Sequence, residues 1–152
     1  MIGYYELTSK LHDHLINDED INTVVIGALD EVDVVKQTVF PLAHIIVGDA
    51  VPHGSYDEFS VIISCMDIID VKKTNPVKGD YKGQDNKQYI LNTMYAVISG
   101  IYKSLDNGAL DAAGWTLAGD INATPFEDEH GNILTGWSAS MIIQIPNTVQ
   151  RC

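Results

Sequence analysis

Residues 58–70, Glu-Phe-Ser-Val-Ile-Ile-Ser-Cys-Met-Asp-Ile-Ile-Asp, form a strand-like run that is apolar in both of its alternating phases. Phe59, Val61, Ile63, Cys65 and Ile69 fall in one phase and Ile62, Met66 and Ile68 in the other. A strand with one face in water alternates apolar with polar instead. The pattern therefore predicts a strand covered on both sides, by helices on one and by further material, such as another subunit, on the other.

The other elements follow from spacing. Over residues 4–16, Tyr4, Leu7, Leu11 and Leu15 recur at three and four, the stripe of an amphipathic helix, and Asn17-Asp18-Glu19-Asp20 ends it. Residues 21–27 read as a strand with Val24 and Ile26 on one side; an acidic turn, Asp30-Glu31-Val32-Asp33, follows, and Pro41 closes the connection. A second strand is predicted over 42–51, with Ala43, Ile45, Val47 and Val51 in one phase and Pro52-His53-Gly54 as the turn into an antiparallel hairpin with 58–70. Residues 71–84 contain Asn75-Pro76, Gly79 and Gly83 with few apolar residues, and read as a loop that becomes ordered on assembly.

A long helix then opens with Asp85 or Asn86 as its cap, repeats Ile90, Met94, Val97, Ile98, Ile101 and Leu105, and stops at Asn107-Gly108. Two more strands are predicted. Trp115, Leu117 and Ile121 share a phase of the first; Trp137, Ala139, Met141, Ile143 and Ile145 share a phase of the second, opposite Ser138, Ser140 and Gln144. Glu127-Asp128-Glu129-His130-Gly131-Asn132 is the polar tip between them. Both tryptophans read as core residues, with an interface anchor as the alternative reading. The order predicts one α+β domain over 1–152, a largely antiparallel sheet of about four to five strands packed with two main helices.

Composition narrows the function. With 45% apolar and 20% charged residues, the chain has the make-up of a folded globular protein. No apolar run approaches the ~20 residues that span a bilayer, and the start lacks the basic-then-apolar pattern of a signal peptide. A net charge of -12 argues against nucleic-acid binding through a basic patch. Against that background, Lys72, Lys73, Lys78, Lys82 and Lys87 gather five of the nine basic residues into one short stretch. It is suited to docking on an acidic neighbour.

Candidate chemistry fails on spacing. His12 and His14 are two apart on a helix, where zinc ligands need a separation of four. His44, Asp49 and His53 flank one strand, but the two histidines differ in phase. Cys65 sits among apolar residues that raise a thiol pKa, Cys152 stands alone, and both are expected to be reduced. Neither a Gly-x-Ser-x-Gly elbow nor a glycine-rich phosphate loop occurs, and the carboxylate runs Asp18-Glu19-Asp20 and Glu127-Asp128-Glu129 read as solvated loops, with a weak divalent-cation site as the alternative. No catalytic residue, cofactor or metal site is predicted.

Val32-Asp33 with Phe40-Pro41-Leu42-Ala43-His44, then Met66-Asp67-Ile68, Leu91-Asn92 and Gly136-Trp137 are stretches that stand out together. In them the chain resembles the small tail-terminator or tail-completion proteins of tailed bacteriophages. The resemblance implies a structural virion protein, assembled in the host cytoplasm as a usually hexameric ring. Such a ring caps the head-proximal end of the tail, stops tail-tube growth and joins tail to head. Implied partners are further copies of the chain, the tail-tube protein and a neck or head-completion protein, with DNA passing through the lumen unbound. The residues expected at the contacts are Lys72, Lys73, Lys78 and Lys82 in the loop and Ile62, Met66 and Ile68 on the second face of the long strand. Another neck or head-completion adaptor is the nearest alternative reading; a small metal-dependent enzyme is the more distant one.

Overall fold

The computed structural model describes residues 3–27, 40–68, 87–128 and 134–147. Helix α1 (Gly3–Ile16) leads into strands β1 (Thr23–Ile26), β2 (Leu42–Pro52) and β3 (Tyr56–Ile68). Helix α2 (Lys87–Asn107) and the short α3 (Ala109–Ala112) follow, then β4 (Thr116–Leu117), β5 (Asn122–Asp128) and β6 (Leu134–Pro146). The six strands form one sheet in the order β1-β2-β3-β6-β4, with β5 also pairing to β6. Among the described strands only β1 and β2 run parallel; every other pairing is antiparallel. The architecture is α+β, as the order of elements predicted.

Both helices cover one face. Leu7, Leu11 and Leu15 of α1 join Ile90, Met94, Val97, Ile98, Ile101 and Leu105 of α2 in a single core over Ala43, Ile45, Phe59, Val61, Ile63 and Cys65. The inner phase of β6, namely Ala139, Met141, Ile143 and Ile145, completes it. Each helix is set by its apolar stripe, since three- and four-residue spacing aligns side chains on one side of the cylinder. Gly108 ends α2 through close approach: a Cβ there would lie 2.7 Å from the Ser104 Cα.

The structure departs from the pattern in four places. Val51 was expected in phase with Ala43 and Ile45, but the register shifts between Val47 and Ala50, and Val51 ends up exposed. A bulge inserts residues into one strand and so reverses which face its remaining side chains take. Ile26 shares a phase with Val24 yet is exposed at the end of the edge strand. The strand expected around Trp115 to Ile121 shrinks to β4, and the true hairpin partner of β6 is β5, which contains Glu127 and Asp128 from the supposed tip. Helix α3 was not anticipated. The expected cap at Asp85 or Asn86, the loop 71–84, the turn 30–33 and Cys152 lie outside the described residues.

Trp115 is fully buried in the core, as its phase suggested. Trp137 is half-buried, donates its Nε1–H to the Leu91 carbonyl at 2.8 Å and lies 5.3 Å from the Tyr95 ring. It ties the start of β6 to the first turns of α2.

Candidate interaction surface

On the sheet face away from the helices, alternation places Leu42, His44 and Ile46 of β2 beside Met66, Ser64, Ile62 and Ser60 of β3. These in turn lie beside Gly136, Ser138, Ser140 and Ile142 of β6. No Asp, Glu, Lys or Arg occurs in this set, although the chain as a whole carries a net charge of -12. The row that brings in charge is Glu58 with Gln144, which donates from Nε2 to Glu58 Oε2 at 3.1 Å.

The face has two parts. At one end Phe40, Leu42, Met66 and Leu134 are buried as a second small core, with Val25, Ile68 and Phe126 packed against it. Beyond it the surface is open. Ile46 and Ile62 are cross-strand neighbours, 40% and 39% exposed, and Ile142 stands diagonally across on β6 at 38%. Serines separate the isoleucines, and the Ser64 and Ser138 hydroxyls share a hydrogen bond of 3.1 Å. A depression of about 310 Å³ beside Ile142 is lined by Ile62, Ser60, Ser140, Ala118 and Asn122, with Asp120 among its lining residues.

Of the predicted contact residues, the structure brings Met66 and Ile68 into the second small core, where Met66 is buried, and leaves Ile62 on the open part. The strand is thus apolar on both sides, but chain-internal residues cover half of its second face. Lys72, Lys73, Lys78 and Lys82 lie outside the described residues.

The candidate chemical groups do not converge. His44 is buried, its Nε2 hydrogen-bonded to the Gly27 carbonyl oxygen. Asp49 is exposed at the bulge, and His53 stacks on Tyr56 with ring centroids 4.4 Å apart. His12 Nδ1 lies 3.3 Å from Asp13 Oδ1, while burial holds His14 below the usual imidazole range, opposed by the nearby Asp18 carboxylate. Burial pushes the Cys65 thiol up to about 12, with Asp18 adding in the same direction. A thiol so held is protonated at neutral pH and is a poor nucleophile. Burial likewise raises Asp67, against a hydrogen bond from the Ile68 backbone N–H. Among the described residues no three His, Cys, Asp or Glu side chains are grouped to hold a metal ion, and no helix is long and apolar enough to cross a membrane.

One feature escaped the sequence reading: the exposed tyrosines Tyr95 and Tyr102, seven apart on α2, flank a hollow facing β5. Their signal was present as aromatic residues off the apolar stripe of a helix. Among known proteins, no family model matches the chain and no curated protein matches it.

Proposed function

We propose that the chain is a ring-forming structural subunit at the head-proximal end of a bacteriophage tail, where it stops growth of the tail tube and joins tail to head. The observation that carries this reading is the open part of the outer sheet face, where three isoleucines on adjacent strands stand in an uncharged surface of an otherwise acidic chain. Carboxylates spread over the rest of the molecule repel one another between copies, whereas this face can meet a neighbour without bringing like charges together. Apolar area grouped in this way marks an interaction site rather than ordinary surface.

Two further features support the reading. Among the described residues, the stretches that carry the resemblance to tail terminators are neighbours in space: Leu42 pairs with Met66, Met66 with Gly136, and Trp137 bonds to Leu91, while Val32-Asp33 lies outside the described residues. They form the joint between the sheet and α2. An acidic ring also suits the passage of DNA, since phosphates meet no array of cations to hold them.

Ile62→Asp tests the proposal, because it places a charge at the centre of the open face. Particles assembled with this variant are expected to show unjoined heads and tails of abnormal length by electron microscopy. Normal particles would rule out a role for this face in joining.

A further inference from the structure

Resting on the reading that copies of this chain assemble, we propose that a groove between α2 and the β4–β5 connection receives the basic stretch around Lys72, Lys73, Lys78 and Lys82 of a neighbouring copy. The groove consists of two adjoining hollows, of about 320 and 240 Å³, that share Tyr102 and Asp120 in their linings. Tyr95 and Ile98 give the first an apolar floor and wall. Asp106 and Asp111 join Asp120 in the second. Asp120 also lines the depression beside Ile142, so the groove continues round the sheet edge onto the uncharged face.

This lining matches one kind of side chain. A lysine has a long apolar stem and a cationic head, so the stem can lie along Ile98 and the tyrosine rings while the ammonium reaches a carboxylate. The faces of Tyr95 and Tyr102 attract the same cation. Among the described residues no lysine or arginine lines either hollow, and the ion pairs are Lys10 with Glu6 and His12 with Asp13, which leaves the three groove aspartates unpaired there. A phosphate-bearing ligand would be repelled. In a chain with nine basic residues against 21 acidic ones, the stretch holding these four lysines is the one place where cations are concentrated, with Val71, Val77 and Tyr81 among them as apolar companions. Groove and stretch are different patches, so their contact between copies is heterologous, the kind that generates a ring where its rotation closes.

A labelled synthetic peptide of residues 69–87 serves as the probe, titrated by fluorescence anisotropy into the full-length chain carrying Lys72→Glu, Lys73→Glu, Lys78→Glu and Lys82→Glu, so that its own stretch does not compete. Saturable binding is expected, weakened about tenfold or more when Asp106→Lys, Asp111→Lys and Asp120→Lys are added. Binding that is absent, or indifferent to the aspartates, would overturn the assignment. A second arm separates neighbour from self by sedimentation velocity. The groove-reversed chain alone and the stretch-reversed chain alone should each lose association, while an equal mixture regains it, because each reversed patch then meets its complement on the other chain. Rescue only when both reversals sit in one chain would place the stretch in its own groove and refute docking between copies. Association of the intact protein without peptide binding would remove the groove and leave the ring reading standing; peptide binding without association would do the reverse.

Discussion

On the inner face of β3, Phe59, Val61, Ile63 and Cys65 are buried in the core that both helices cover, whereas between them Ile62 points the other way and remains 39% exposed beside Ile46 and Ile142. Isoleucine stands on both faces, alternating with serine on the outer one, and the cover differs. Burying an isoleucine fully is worth roughly 1.5–3 kcal/mol, so the inner residues contribute to folding what the outer ones contribute only in part. Single exposed apolar side chains need no explanation, but three on adjacent strands, without a charge among them, do. Apolar pattern thus records total cover, which the described residues supply fully on the inner face and only in part on the outer one.

Substitution should separate the faces, the largest effect coming from inside. Ile143→Ala removes a fully buried side chain of β6 and should cost about 2–5 kcal/mol in urea denaturation. A loss under about half a kcal/mol would show that the inner face is not the core. Gly136→Ala, at the covered end of the outer face, comes next, at about 3 kcal/mol, the upper end of overpacking. A Cβ at 136 would overlap the Cys65 carbonyl oxygen and come within 2.8 Å of the Met66 Cα, both backbone atoms that no rotamer change can move. Stability equal to wild type would mean that β3 and β6 are spaced more widely than described.

The buried thiol gives a second test of the inner face. Cys65 is raised from its usual 9.0 to about 12. Between those values the unfolded thiol ionises while the folded one stays protonated, so the unfolded state binds fewer protons and stability falls as pH rises. Below pH 9 this contribution is constant. At pH 10 wild type should lose about 1 kcal/mol relative to its own value at pH 8, beyond any loss shown by Cys65→Ala over the same interval. Identical alkaline profiles for the two proteins would indicate that water reaches the sulfur. The smallest effect belongs outside: Ile62→Ser should change the stability of the isolated subunit by no more than about half a kcal/mol. A cost matching that of Ile143→Ala would erase the distinction between the faces.

Much of this was legible in the sequence because periodicity and burial agreed. The apolar stripes of α1 and α2 and the alternation of β6 each named the residues that form the core. Strand β5 was hidden because Asn122 and Pro125 are poor strand signals. Proline lacks a ladder donor and survives in strands mainly at edges, which is where β5 lies. The reversal of Val51 was equally invisible, since a bulge is a feature of pairing and not of composition. For the candidate surface, the sequence marked Ile62, Met66 and Ile68 alike as needing cover. Only the register shows that Phe40, Leu42 and Leu134 take care of Met66, and that Ile46 and Ile142 join Ile62 in the open.

The central claim, that the open outer face is where this chain meets another subunit, is tested most directly by sedimentation velocity on the purified protein and its Ile62→Asp variant across a range of concentrations. The account predicts a discrete closed oligomer for wild type and a monomer of unchanged secondary structure for the variant. A wild-type protein that stays monomeric throughout, or a variant that assembles as well as wild type, would contradict it.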